Sequence, residues 1–241
     1  MATLTPTDAR VSVVMPVYNE AGTLREIIGR VLAQNCVQNL HIVDDASTDG
    51  SWEVLRELAG DEPRIELARQ DYNQGKGAAL RAGFALALAA GNPIILVQDA
   101  DLEYDPEDYG HLIGPIVRGR ADVVFGSRFL GGEGRVLYFW HSVGNRALTM
   151  LSNMCTDLNM TDMETCFKAF RREQLEGLEL EEPRFGVEPE ITAKLARRRP
   201  APRIYEVAIA YHGRTYEQGK KITWRDGVHA LVCILKYNLW R

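Results

Sequence analysis

The chain has 241 residues and a formal net charge of −5, with 46% hydrophobic and 25% charged residues. This composition is typical of a globular protein with a full core, and it argues against a disordered chain or a general nucleic-acid binder. The four cysteines form no C-x-x-C pair and no zinc spacing, so we predict free thiols in a reducing compartment. We find no secretory signal and no apolar stretch near the ~20 residues that cross a bilayer, which predicts a cytoplasmic protein.

Short apolar runs alternate with helical patterns along the first 130 residues. Strands are predicted at 11–14, 40–43, 65–68, 94–97 and 122–125. Helices are predicted between them at 24–32, from 51 onward, at 75–90 and at 106–118. Alternation at this spacing predicts βαβ units and a mostly parallel sheet.

The second half of the chain is less regular. Residues 129–145 are rich in glycine and aromatic residues and are predicted to form a mobile loop, and the polar segment 212–221 a second loop. Helices are predicted around 146–158 and 188–198. A strand is predicted over 204–211.

The C-terminal stretch has an apolar stripe on one helical face: Trp224, Val228, Leu231, Val232, Leu235 and Leu239. Two interpretations stay open for it. The stripe packs on a core, as most such stripes do. Alternatively it lies on a membrane surface, because it ends in aromatic and cationic residues.

Acidic residues follow three of the predicted strands. Glu20 follows the first strand, Asp44 the second, and Asp99 and Asp101 the apolar strand 94–97. In an open parallel sheet ligands bind at the carboxyl ends of strands, so these residues are expected to converge. Two carboxylates spaced i, i+2 suit Mg²⁺ or Mn²⁺, which would neutralise a diphosphate leaving group.

Two strings have both a structural and a functional interpretation. Asp101 or Asp105 can cap the helix that begins at Pro106, and Asp105 fits a cap better. The string N-Q-G-K-G, which contains Lys76, opens the helix 75–90. It is either a turn with a helix start or a contact to a nucleotide.

Basic residues gather in and before the two predicted loops: Arg128, Arg135, Arg214, Lys220 and Lys221. Any one of them alone is typical of a solvated surface cation. Together they are suited to hold a phosphate-bearing acceptor opposite the metal.

These strings together resemble the family-two glycosyltransferases, above all the dolichyl-phosphate or polyprenyl-phosphate mannose synthases and their bacterial sugar-transferase relatives. The matching strings span about residues 11–225 and are V-V-M-P-V-Y-N-E, I-V-D-D-A-S-T-D-G-S, N-Q-G-K-G-A-A-L-R-A-G, Q-D-A-D-L-E-Y-D-P, V-F-G-S-R-F, D-M-E-T-C-F-K-A-F-R-R-E and H-G-R-T-Y-E-Q-G-K-K-I.

The resemblance implies an α/β protein with a GT-A fold, that is, a Rossmann-like, mostly parallel sheet flanked by helices. It implies a single domain over 1–241, with a nucleotide-sugar-binding half at 1–128 and an acceptor-binding half at 129–241. It also implies inverting transfer of a sugar from a nucleoside diphosphate.

The resemblance also assigns roles to residues. Besides Lys76, the nucleotide-sugar site is expected to include Pro16, Tyr18, Glu20, Asp44, Asp99 and Ala100. The metal site is expected to include Asp99, Asp101 and Glu103. The positions matching the acceptor and phosphate site are Arg128, Arg135, Arg214 and Lys221. Asp101 and Arg128 are the expected catalytic residues.

The acceptor can be argued from chemistry. A phosphate monoester is ionised near neutral pH and needs cations rather than a base, whereas a sugar hydroxyl needs a general base. Clustered Arg and Lys without an obvious catalytic His favour a polyprenyl phosphate. For a soluble or glycan hydroxyl, Asp162 in the D-M-E-T-C-F-K string is the candidate base. A third interpretation is a module that binds a sugar nucleotide without turnover.

Two strings depart from the mannose synthases, Glu103-Tyr104-Asp105-Pro106 and Thr165-Cys166-Phe167-Lys168. They favour a UDP-hexose or UDP-N-acetylhexosamine over GDP-mannose. Peripheral contact with the cytoplasmic face of the membrane is expected. It would run through the C-terminal helix, the aromatic residues at 138–140, or a small membrane partner.

Overall fold

The computed structural model describes residues 9–131, 133–136, 138–215, 217 and 224–239. In this part of the chain one sheet has the strand order β3-β2-β1-β4-β6-β5-β7. Its strands are β1 (Val11–Val17), β2 (Val37–Asp44), β3 (Ile65–Arg69), β4 (Ile94–Val97), β5 (Val123–Ser127), β6 (Lys168–Arg171) and β7 (Ile204–Ala208). Only β6 runs antiparallel to its neighbours, β4 and β5, so the predicted mostly parallel sheet is confirmed.

Helices cover both faces of the sheet. They are α1 (Leu24–Leu32), α2 (Ser51–Asp61), α3 (Lys76–Ala90), α4 (Tyr109–Val117), α5 (Phe139–Thr156), α6 (Arg172–Leu175), α7 (Val187–Arg197) and α8 (Trp224–Leu239). A 3-10 turn, Pro106–Asp108, precedes α4. Asp105 caps this turn by accepting the N–H of Glu107 at 3.0 Å, as predicted.

The core lies in two layers, one on each side of the sheet. Along β4, Ile94 and Leu96 pack into the layer that contains α1 and α4, while Ile95 and Val97 pack into the layer that contains α3 and α7. A strand covered on both faces is apolar throughout, because successive side chains point to opposite sides. The apolar run that marked this strand in the sequence therefore reflects its central place.

Two elements differ from the sequence prediction. No strand was predicted at β6, because its four residues begin with the polar Lys168; that side chain is buried and paired with Glu188. The segment 139–145, predicted as loop, forms the start of α5. It holds one glycine, Gly144, and no proline, so its aromatic residues do not prevent a helix.

Four of the six residues in the apolar stripe on α8 face outward, whereas Leu235 is partly buried and the side chain of Trp224 lies outside the described residues. The buried side of the helix is a different set of residues: Ala230, Cys233, Ile234 and Tyr237. Val228, Leu231, Val232 and Leu239 are exposed, so the interpretation of this stripe as a core face is wrong. Within the described residues, no helix has the length and apolar character needed to cross a bilayer.

Candidate active site

A cavity of about 510 Å³ opens where β1, β4 and β5 end. This is the edge at which open parallel sheets bind ligands. The predicted site residues in its lining are Pro16, Tyr18, Glu20, Lys76, Asp99, Ala100, Asp101, Glu103, Arg128 and Arg214. Asp44, Arg135 and Asp162 are not in the lining, and Lys221 lies outside the described residues.

Three carboxylates surround the side chain of Arg214. Its guanidinium donates to both oxygens of Glu20 at 3.0 Å and to Asp101 Oδ2 at 3.2 Å. Its backbone N–H donates to Glu103 Oε1 at 2.7 Å. A cation predicted for the acceptor is therefore paired here with acids predicted for the nucleotide and the metal.

Glu20, Asp99, Asp101 and Glu103 form an acidic wall of the cavity, and this wall suits a divalent cation. Burial, together with the charges of Asp99 and Glu103, raises the pKa of Asp101 to about 7. Such a shift means that the ionised cluster needs positive charge for its stability. Carboxylate oxygens are the ligands that Mg²⁺ and Mn²⁺ prefer. The donor set of Asp99, Asp101 and Glu103 therefore fits the predicted metal, with Arg214 as a further counter-charge.

Lys76 stands at the start of α3 beside this wall, and its Nζ is 2.7 Å from Asp99 Oδ1. Gly75 precedes it with a φ of +97°, and a side chain there would meet Pro183 O and Arg184 Cγ at 2.6 Å. Glycine thus lets the helix begin against the wall of the cavity. The N-Q-G-K-G string is a helix start that also places a cation at the site.

The two aspartates after β2 have different places. Asp44 is fully buried and its Oδ2 is 3.1 Å from Arg69 Nε. Asp45 lines the cavity and accepts the N–H groups of Gln74 and Gly75 at 2.7 and 2.8 Å. Asp45 is therefore the member of the pair that faces the cavity, and a nucleoside contact by Asp44 stays a prediction.

Arg128 and Asp162 form a two-bond ion pair beside the cavity. Arg128 Nε and Nη2 each donate to one oxygen of Asp162 at 2.7 Å, and the backbone N–H of Arg128 adds a third bond at 3.1 Å. Asp162 is fully buried. Because both of its oxygens are held by the guanidinium, the geometry does not favour Asp162 as a general base, and a catalytic role for this residue stays a prediction.

Glu164 is the carboxylate of this region that the sequence analysis missed. It lines the cavity, and its Oε1 is buried without a hydrogen-bond partner. Burial, with the charge of Glu188, raises its pKa to about 7. A carboxyl that titrates near neutral pH is suited to proton transfer. The D-M-E-T-C-F-K string marked the region, two residues away from the group that faces the cavity.

The described parts of the two predicted loops meet beside the cavity. The backbone N–H of Arg135 donates to Tyr211 O at 2.9 Å, and its side chain donates to Gly213 O at 3.2 Å. The hydroxyl of Tyr211 donates to Glu103 Oε2 at 2.8 Å. Arg135 thus links one loop to the other here and is not in the lining of the cavity, and its contact with the acceptor phosphate stays a prediction.

Comparison with known families places this cavity in context. The model of the family described as Glycosyl transferase family 2 matches residues 12–178. That span contains β2 to β6, all of β1 except Val11, and most of the cavity's acidic and basic side chains.

Two curated proteins are similar in sequence over most of the chain. The polyprenol monophosphomannose synthase of Mycolicibacterium smegmatis is 34% identical over 182 residues, which is 74% of this chain and 68% of that protein. The dolichol-phosphate mannosyltransferase of Pyrococcus furiosus is 30% identical over 220 residues, which is 88% of this chain and 60% of that protein. The chain thus spans about two thirds of the length of these relatives.

A solved structure shows the fold. The glucosyl-3-phosphoglycerate synthase of Mycobacterium tuberculosis, crystallised with Mn²⁺, UDP and phosphoglyceric acid, superposes with a TM-score of 0.73. The two share 20% identity, and the match covers 99% of this chain and 84% of the other. The predicted GT-A fold is therefore confirmed.

Proposed function

This chain belongs to glycosyl transferase family 2, and on that premise we propose that it moves a sugar from a nucleoside diphosphate to a polyprenyl or dolichyl phosphate. The observation that carries the proposal is the pairing of an acidic wall with the partly buried arginines Arg128 and Arg214 in one cavity. The names of two relatives, a polyprenol monophosphomannose synthase and a dolichol-phosphate mannosyltransferase, support this acceptor. Family membership sets aside a module that binds the sugar nucleotide without turnover.

The sugar donor is proposed to bind at the acidic wall. Asp99, Asp101 and Glu103 would hold Mg²⁺ or Mn²⁺, which supplies neutralisation of the departing diphosphate. Support comes from their oxygen donor set and from the solved structure that contains Mn²⁺ with UDP. Lys76 fixes the orientation of Asp99, and Ala100 lies in the wall between the two aspartates. A UDP-sugar stays the favoured donor.

The acceptor phosphate is proposed to bind at Arg128. Its guanidinium presents a flat array of N–H groups, and Asp162 holds that array in one orientation. An ionised phosphate oxygen there attacks the anomeric carbon from the side opposite the diphosphate. The new oxygen–carbon bond forms as the bond to the diphosphate breaks. Arg214 would lie between the donor diphosphate and the acceptor phosphate, where it adds a second positive charge to the lining of the cavity.

One domain over 1–241 is proposed to hold both substrates. The half at 1–128 supplies the acidic wall, and the half at 129–241 supplies Glu164, Tyr211 and Arg214. The segments around Arg135 and Tyr211, tied together beside the cavity, are placed to exclude water that would otherwise hydrolyse the donor.

A membrane contact at the cytoplasmic face is proposed through the exposed side of α5 and α8, which pack on each other. Phe139 and Trp140 are 70% and 77% exposed at the start of α5, and Met150 and Met154 continue the exposed face. Exposed apolar patches of this kind mark membrane or protein contacts.

Binding to liposomes tests this contact. We expect the double variant Phe139→Ser/Trp140→Ser to lose at least about tenfold in liposome affinity by cosedimentation, because each large side chain contributes about 1.5–3 kcal/mol when it is buried. Tyr72→Ser removes an equally exposed ring elsewhere and is the matched control. Equal binding by both variants contradicts the proposed surface. Binding to native membranes but not to liposomes would point to the small membrane partner.

A transfer assay tests the proposed function. The protein is incubated with UDP- and GDP-sugars, Mg²⁺ or Mn²⁺, and a polyprenyl phosphate, and the lipid product is isolated. We expect a labelled lipid with one donor. Donor hydrolysis without any lipid product in the whole panel would reject the proposed acceptor.

Glu164 favours a second candidate, in which the acceptor is a hydroxyl of a soluble sugar or glycan. As a general base it would be active when ionised, so transfer would rise with pH through about 7. Transfer to polyprenyl phosphate should survive Glu164→Gln within about fivefold, because that acceptor needs no base. If the protein transfers the sugar to a sugar or glycan hydroxyl, and Glu164→Gln lowers that transfer about a hundredfold or more at unchanged donor binding, the hydroxyl acceptor would be favoured.

A further inference from the structure

Three side chains with metal-ligating atoms converge away from the acidic wall. His229 and Cys233 lie one turn apart on α8, and Glu182 lies on the segment before α7. His229 Nε2 is 2.9 Å from Glu182 Oε2 and 3.5 Å from Cys233 Sγ. All three ligand atoms lie within 4.8 Å of one another.

The arrangement is not that of a catalytic triad. A triad uses opposite nitrogens of the imidazole for the nucleophile and the acid. Here the sulfur and the carboxylate both face Nε2 of His229. A cation at the point where the three ligand atoms converge would contact all of them.

Gly186 keeps that point open. A Cβ atom at this position would lie 2.6 Å from Cys233 Sγ, 3.0 Å from Glu182 Oε2 and 3.1 Å from His229 Nε2. The φ of Gly186 is −60°, which any residue adopts, so the backbone does not require glycine. What requires it is the atom-sized space between the three ligand atoms.

We propose that Glu182, His229 and Cys233 form a zinc site. Thiolate, imidazole and carboxylate are the donor types that zinc binds in proteins. Tetrahedral bonds of about 2.3 Å to sulfur and about 2.0–2.1 Å to nitrogen place those two atoms roughly 3.5 Å apart. The observed separation of Sγ and Nε2 is 3.5 Å. Because His229 is half-exposed, the proposed site is open to solvent, from which a fourth ligand would come.

Lys236 and Tyr237 fix the orientation of the Glu182 carboxylate. Lys236 Nζ and the hydroxyl of Tyr237 donate to the other oxygen of Glu182 at 2.7 and 2.9 Å. This leaves Oε2 directed at the cluster, the kind of outer contact that orients metal ligands. Zinc binds the thiolate form of cysteine, so zinc binding would release the thiol proton of Cys233 to solvent.

The site would fasten α8 to the wall of the catalytic cavity. The segment that begins at Glu182 continues into Arg184 and Phe185, which line that cavity. The same segment is tied to α3, since Ala78 N donates to Pro183 O at 3.0 Å. Zinc would add to the hydrogen bonds by which Lys236 and Tyr237 already join α8 to Glu182, and His229 follows Glu182 by 47 residues. That separation is why the cysteine spacing alone predicts no zinc site.

Cobalt reports this site and distinguishes it from the acidic wall. Co²⁺ is titrated into the protein in excess Mg²⁺, which occupies oxygen ligands. We expect about one equivalent to give a thiolate-to-cobalt charge-transfer absorption in the near ultraviolet, with release of one proton, and Zn²⁺ to abolish the absorption. Cys233→Ser should lose it. Cys155→Ser, which removes a free thiol elsewhere, should keep it.

Two further variants keep the test decisive if Cys233→Ser misfolds. Gly186→Ala fills the space between the ligands and should weaken Zn²⁺ binding at least about tenfold by calorimetry. His229→Gln changes a half-exposed side chain and should do the same. A charge-transfer absorption that persists in Cys233→Ser, a cobalt spectrum without it in the unmodified protein, or unchanged Zn²⁺ affinity in both other variants would each overturn the site.

Discussion

Asp101→Asn is expected to lower transfer at least about a thousandfold while the protein stays folded. The change removes one charged oxygen ligand from the acidic wall, where neutralisation of the diphosphate is worth several kcal/mol. Burial and two neighbouring acids raise the pKa of Asp101 to about 7, so its ionised form is not a source of stability. The thermal midpoint should therefore hold or rise. Mn²⁺ affinity, measured by calorimetry, should fall with activity.

Asp105→Asn is the matched control for this change. Asp105 lies four residues later, outside the lining of the cavity, and caps a 3-10 turn through Glu107 N. Asparagine caps as well as aspartate, so fold and transfer should both be kept. Full activity in Asp101→Asn, or equal losses in the two variants, would contradict a metal role for Asp101.

The acidic wall was predictable because its parts are local in sequence. Each acid lies within six residues of the end of β1 or β4, and parallel strands bring their carboxyl ends together whatever the connections between them. Which of two neighbouring residues faces the cavity was not predictable. Successive side chains in extended chain point to opposite sides, so a shift of one residue exchanges Asp44 for Asp45.

Pairings over long sequence distances were beyond the sequence analysis. Arg214 pairs with Glu20 across 194 positions, and no local pattern records it. In the D-M-E-T-C-F-K string, Asp162 and Glu164 are both carboxylates in a polar context. Only the position of Arg128 decides that the first is engaged and the second faces the cavity.

The faces of α8 show a further limit of periodicity. The helix carries apolar residues on two sides, and the sequence stripe was the side that the fold leaves exposed. The packed side includes Ala230, Cys233 and Tyr237, which are small or partly polar and stand out less in a hydrophobicity pattern. On this side Tyr237 donates to Glu182, and Cys233 and Tyr237 pack against Ala193 of α7.

Arg128→Lys is expected to lower transfer about a hundredfold, because the acceptor phosphate is no longer held in position to attack the anomeric carbon. Lysine keeps the positive charge but cannot bond both oxygens of Asp162 while presenting a flat N–H array to the acceptor. The KM for the polyprenyl phosphate should rise while the donor KM stays unchanged. A rise in the donor KM alone would assign Arg128 to the diphosphate and contradict the proposed role.

Arg203→Lys is the matched control for this change, because it makes the same substitution in an ion pair outside the lining of the cavity. Arg203 donates two hydrogen bonds to Asp122 in the same geometry, with Nε and Nη2 at 2.9 and 2.8 Å from the two carboxylate oxygens. Its side chain is 53% exposed against 16% for Arg128. A solvated pair contributes less than about 1 kcal/mol, so this variant should keep full transfer and nearly full stability. The two ion pairs flank β5, since Asp122 precedes this strand and Arg128 follows it. If both variants lost transfer alike, the loss would come from weaker attachment of β5 and not from a lost contact between Arg128 and the acceptor phosphate.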